Sequence, residues 1–286
     1  MDSVLKPLAE IYPQLYLTPG EEGAALYRRV VGRGEDPLTH SLDHFRGSRL
    51  DSVTTEATPA GEVQIVTLGD RQDFELFLQI MGNRCVPEKI PATQGASILD
   101  GVINWLKIRK HQAEYLAAGG DPAGLPDEFK RFTADPRNFK DALIVLSTGP
   151  YSAVRAEDIG MEEEAWLTAS YRIRKAHECT HFICRRLFPE KINAIWDELA
   201  ADAVGLYAAF SRYDLALAER FLGVSADGYT GGRLENYAKG EDLNELARKV
   251  HRTLKHLEKV IRNEGETDPY TLAIRLEDEI TVWTDC

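Results

Sequence analysis

The chain has 286 residues, 43% of them hydrophobic and 28% charged, which is enough for one large domain or two small ones without disulfide or metal staples. Its 34 Lys and Arg against 46 Asp and Glu give a formal net charge of -12, which argues against nucleic acid as a partner, since phosphates demand a broad basic face. The one basic cluster, Arg172, Arg174 and Lys175, is short and falls inside a helical pattern.

No stretch approaches the roughly 20 apolar residues that span a bilayer, so no membrane partner is expected. Met1–Leu17 lacks the basic start and apolar core of a secretory signal. The four cysteines, Cys85, Cys179, Cys184 and Cys286, are too sparse for a disulfide scaffold and suit a reducing compartment. A cytoplasmic location is the expectation.

In chain order, a short helix is predicted over Glu21–Val31, after the turn at Pro19-Gly20. Glu62–Leu68 (EVQIVTL) is rich in β-branched residues and predicts a strand. Asp70 then reads as the N-cap of a helix over Phe74–Met81. Ile98, Val102, Trp105, Leu106 and Ile108 recur at helical spacing and predict a long helix over Ala96–Leu116. The polar, Pro-containing stretch 121–138 is the best boundary, dividing an N-terminal α+β region, 1–135, from a mainly helical region, 136–286. Ala142–Ser147 (ALIVLS) is short, apolar and closed by Thr148-Gly149-Pro150, a buried strand. Helices are then predicted over 161–188, 190–210, 215–222, 243–263 and 270–283. The fold class is α+β, mainly α, with a small sheet.

Residues 177–181 read His177-Glu178-Cys179-Thr180-His181, an HExxH pattern. Histidines at i and i+4 lie one turn apart on one helical face, the spacing two imidazoles need to chelate one zinc ion. Glu178 sits beside them, placed for a metal-bound water rather than for the metal. Pro189 ends this helix and suits the start of another, which carries Glu198 and Asp202 in an ExxxD pattern.

If the two helices fold back on each other at Pro189, His181 and Glu198 both lie roughly 12–14 Å from the turn at 1.5 Å per residue. His177 and Asp202 share the next level. A carboxylate then arrives where zinc needs a third protein ligand, and a second where a ligand histidine needs an orienting partner.

These residues resemble the gluzincin branch of zinc metallopeptidases, which pair HExxH on one helix with a downstream glutamate on the next. The resemblance covers about residues 142–205. It implies a zincin-like fold around an active-site helix hairpin, with His177, His181 and Glu198 as Zn2+ ligands, Glu178 as general base and Asp202 hydrogen-bonded to His177. It also implies an edge strand that binds substrate in extended form, a role that would fall to Ala142–Ser147. The expected activity is that of a zinc-dependent hydrolase, a metallopeptidase acting on a peptide or another carbonyl-containing substrate.

Tyr207, Arg212, Tyr229, Arg233, Tyr237 and His251 are candidates to stabilise the developing oxyanion. The Tyr229–Tyr237 stretch is favoured, because Gly228, Gly231 and Gly232 suggest a loop over a site. His40 and His44 share the i, i+4 spacing, but they sit in loop-like surroundings and read as solvated. Cys179 should point away from the ligand face, whereas Cys184 falls near it. The competing reading is a zincin-like module that keeps the metal, or binds a partner, without catalysis. A di-iron bundle ranks lower, because it needs a second Glu-x-x-His, which the chain lacks.

Overall fold

Ala142–Leu146, apolar at every position, runs through the inside of a four-stranded sheet in the computed structural model, which describes residues 4–191 and 193–279. The strands are β1 (Ser52–Thr58), β2 (Gly61–Leu68), β3 (Ala96–Ile103) and β4 (Lys140–Ser147), in the spatial order β1-β2-β4-β3. β4 pairs in parallel with β2, from Gln64 opposite Leu143 to Leu68 opposite Ser147. Interior strands are covered on both faces, which is why β4 is a continuous apolar run rather than an alternating one. The same placement corrects one expectation: β4 is not an edge strand and has no open side for substrate.

Helices α1 (Leu5–Ile11), α2 (Glu21–Arg33), α3 (Arg71–Met81), α4 (Trp105–Ala117) and α5 (Leu125–Thr133) accompany the sheet. Asp70 caps α3 as expected, its side chain accepting from the N–H groups of Gln72 and Asp73. The helix expected over Ala96–Leu116 divides instead into β3 and α4. Ile98, Val102 and Ile103 favour the pleated strand, and the Asn104 side chain accepts from the Lys107 N–H to start α4 afresh.

The second half is helical: α6 (Glu163–Leu187), α7 (Ala194–Phe210), α8 (Leu215–Leu222), α9 (Leu243–Glu264) and α10 (Pro269–Leu276), with a two-residue ribbon of β5 (Val224–Ser225) and β6 (Gly228–Tyr229). α7 starts at Ala194 rather than 190, because Asn193 supplies the cap, accepting from the N–H groups of Ile195 and Trp196. The end of the helix expected over 270–283, and Cys286, lie outside the described residues. With 57% helix and 13% strand the fold is mixed α/β and mainly helical. No described helix is long and apolar enough to cross a membrane.

The chain gathers into two units, one from Met1–Thr55, Val63–Pro91 and Ser97–Ser147, the other from Glu56–Glu62, Ala92–Ala96 and Thr148–Cys286. The last crossing of the chain from the first unit to the second follows β4, which is bound into the sheet of the first unit. That unit's core joins Leu8, Tyr12, Phe74 and Phe77 to Val66, Leu68, Leu143 and Val145. The second unit is built around Trp166, Ile173, Trp196, Leu199, Phe221 and Leu254.

Candidate metal centre

α6 and α7 are the two arms of the hairpin, and α6 stops at Leu187, just short of Pro189. Acidic Glu163 and Glu164 occupy its first turn and Arg185 and Arg186 its last, each sign at the dipole end that favours it. Where the arms cross, Gly205 of α7 lies against Ile173 of α6 so closely that a Cβ would stand 2.8 Å from the Ile173 carbonyl oxygen. That approach lies one turn from His177 on one arm and three residues from Asp202 on the other.

His177, His181 and Glu198 converge, each offering a ligand atom within 4.8 Å of the others, and the three can hold a metal ion. The two Nε2 atoms are 3.1 Å apart. Glu198 reaches His181 Nε2 at 3.3 Å through Oε1 and His177 Nε2 at 3.6 Å through Oε2. Both histidines are buried, 5% and 7% exposed. Glu178 is 9% exposed, and among the described residues no hydrogen bond or ion pair engages its carboxylate.

Asp202, fully buried, stands behind His177 with Oδ1 2.9 Å from the ring Nδ1. A carboxylate only accepts, so Nδ1 carries the proton and the Nε2 lone pair faces Glu198 and His181. Two further donors hold the carboxylate. The Tyr151 hydroxyl donates to Oδ1 at 2.6 Å and lies 3.0 Å from His177 Nδ1, and the Arg233 guanidinium makes a short contact with Oδ2. Burial pushes the Asp202 carboxyl up, but Arg233 and His177 outweigh it and hold the group well below the usual carboxylate range. Burial likewise opposes the charge on Glu198, yet the hydrogen bond to His181 and the nearby His177 lower its pKa to about 2. The His177 ring loses charge to burial but regains more from Asp202 and Glu198, so its pKa is raised. The pocket favours positive charge.

Of the expected oxyanion stabilisers, Arg233 and Tyr237 reach this cluster. The Tyr237 hydroxyl donates to Glu198 Oε2 at 2.9 Å. Tyr229 and His251 do not. The Tyr229 hydroxyl donates to the Gly232 carbonyl and accepts from the Gly232 N–H, closing its own loop, and His251 lies 2.8 Å from the Glu219 carboxylate. Tyr207 is engaged by Gly265 and Thr267, and Arg212 by Asp214. Tyr151 was not singled out in the sequence. It lies 26 residues before His177 in an irregular turn, where spacing carries no signal.

The other eye-catching residues have ordinary roles. His40 stacks on Tyr16 and pairs with Asp36, and His44 bonds the Leu15 carbonyl. Cys179 and Cys184 are buried free thiols whose pKa values burial pushes up, that of Cys179 to about 11.

A mixed, mainly helical chain with two buried histidines and one partly exposed glutamate in a cluster is thus the class that fold and site define. The chain belongs to a family described as a family of unknown function (DUF7005), whose family model matches residues 9–269. No curated protein and no solved structure matches it.

Proposed function

We propose that the second unit is a zinc-dependent hydrolase of zincin-like design, with His177, His181 and Glu198 holding the ion and Glu178 as general base. The observation that carries this reading is the spacing of the three ligand atoms. Tetrahedral zinc with bonds near 2.05 Å sets its ligand atoms about 3.3 Å apart; here the two imidazole Nε2 atoms are 3.1 Å apart, and the Glu198 carboxylate straddles them with one oxygen 3.3 Å from His181 and the other 3.6 Å from His177. Three protein ligands leave the fourth position open, the pattern of catalytic rather than structural zinc.

The chemistry supplied there by a bound zinc ion is Lewis acidity, which brings the pKa of water down toward 7. The chain's own residues do the rest. Glu178, next to a ligand and without a hydrogen-bond partner of its own among the described residues, accepts the proton and returns it to the leaving group. Asp202 fixes the His177 tautomer, while Tyr151 and Arg233 fix Asp202. Tyr237, whose hydroxyl donates to Glu198, supplies a donor for developing negative charge once that hydroxyl turns from the carboxylate. A peptide or another acyl compound is the substrate class this machinery fits.

The depth of the histidines also suits the second reading, a metal kept for stability or partner binding. One set of variants separates the two. His177→Ala and Glu198→Ala should each abolish stoichiometric zinc by elemental analysis; full retention in both refutes the ligand set. Glu178→Gln should keep the zinc and lose roughly 10²- to 10⁴-fold in turnover of a peptide or ester library. Zinc retained with no turnover in either form leaves the non-catalytic module.

A further inference from the structure

A second recess lies in the first unit and does not depend on the metal reading. It is a groove of about 690 Å³ walled on one side by Ala24, Tyr27, Arg28 and Val31 of α2 and on the other by residues 98–103 of β3. Spacings of three and four place those α2 residues on one helical face. Val31, Met81 and Leu99 are its buried apolar lining.

Among the described residues β3 is the outermost strand on its side of the sheet, with β4 as its neighbour. Among the described residues its outer edge carries no backbone ladder. An unpaired strand edge is normally covered or blunted, because it is a template for another extended chain. Here it is left open beside a helix, the arrangement in which an extended peptide adds to a sheet as a further strand.

Charge adds a second constraint. Arg28, Arg84 and Lys140 line the groove, and among the described residues none of them has a carboxylate partner, while Asp100 is the one acid in the lining. Three cations against one acid in a groove are conspicuous in a chain of net charge -12. The turn that presents Arg84 has positive φ at two successive non-glycine residues, Arg84 at 54° and Cys85 at 64°, and such backbone persists only where the surroundings enforce it. The fully buried Cys85, whose carbonyl accepts from the Gly20 N–H, supplies that enforcement.

The geometry points to a docking groove for an extended, acidic peptide segment, which pairs its backbone with the open edge of β3 and sets its carboxylates against Arg28, Arg84 and Lys140. Side chains alternate along a strand, so a segment alternating acidic and apolar residues meets the cations with one set and the apolar lining with the other.

The test uses the full chain and a fluorescein-labelled, end-blocked hexapeptide of alternating Glu and Val, followed by anisotropy. The peptide should bind, and binding should slow hydrogen exchange at the β3 amides. Arg28→Glu and Lys140→Glu, both at solvent-accessible positions, should each weaken binding at least about tenfold. An alternating Lys and Val peptide should not bind, nor should the Glu and Val peptide N-methylated along its backbone, which keeps the charges but loses the donors. The proposal is overturned if the N-methylated peptide binds as well, if free glutamate displaces the probe at equal concentration, or if nothing binds up to about 1 mM. Should a charge-reversal variant fail to fold, the exchange measurement on the unaltered chain decides alone.

Discussion

Asp202 accepts from an imidazole, a phenol and a guanidinium while lying wholly out of water. A buried carboxylate is tolerable only when its lone pairs are filled, so removing a donor acts on everything the carboxylate orients. Tyr151→Phe keeps the ring packed edge-on against Phe221 and deletes one donor. It should cost about 1–3 kcal/mol of stability and weaken zinc binding modestly. Arg233→Met removes the charge opposite Oδ2 and should lower zinc affinity about 10- to 100-fold, read by competition with a chromogenic chelator. If affinity stays unchanged while the melting temperature falls, the two residues serve packing alone. Much of this layer was illegible in the sequence. His177, His181, Glu198 and Asp202 follow from helical spacing about one turn, and the glycines around 228–232 pointed to Arg233 and Tyr237, whereas Tyr151 arrives from an irregular segment whose only constraint is tertiary.

At the scale of elements, the hairpin places the site because two helices approach at one glycine. Gly205→Ala would set a methyl group against the Ile173 backbone carbonyl, which cannot swing aside as a side chain would. The arms must part near His177 and Asp202, with a loss of about 1–3 kcal/mol and weaker zinc binding in the same variant. A calorimetric melt and a metal titration check both, and an unshifted melt shows that the crossing is looser than its geometry. The hairpin was legible because proline and a strong 3.6-residue period act locally. β3 and α4 were not, since Ile98, Val102, Trp105 and Ile108 satisfy the helical period while belonging to two elements. Gly101, with φ at +75°, and Asn104 at the cap were the informative residues there. β1 escaped because SVTTEAT is polar and half exposed, with no buried face to impose alternation.

Across the whole molecule, the first unit has its own hydrogen-bonded, half-buried carboxylate. Asp141 of β4 accepts from the Tyr12 hydroxyl at 2.6 Å, the Asn104 amide at 2.7 Å and Lys107 Nζ at 2.5 Å, tying α1 and the start of α4 to the central strand. Burial raises its pKa, but Lys107, Tyr12 and Asn104 outweigh that, so the folded value lies below the ordinary 3.8. A depressed acid contributes stability that is complete above its unfolded pKa and lost as pH falls through the folded one. Asp141→Asn should therefore cost about 2 kcal/mol at neutral pH, and its melting curve should converge on that of the unaltered chain as pH falls through the depressed carboxyl pKa of the folded state. Parallel curves at every pH would show that the carboxylate's charge is not what the three donors hold.

The parallel ladder joining Leu68 to Ser147 also sets how late in synthesis the sheet can close. Two neighbours so far apart along the chain meet only after a long stretch between them has been synthesised, and such late, distant pairings close slowly. Until Ser147 clears the ribosome, β2 has a bare flank that any passing strand can use. The nascent chain is thus most exposed to misassembly in the interval before β4 emerges, and holdase chaperones should engage it there rather than during synthesis of the helical second half.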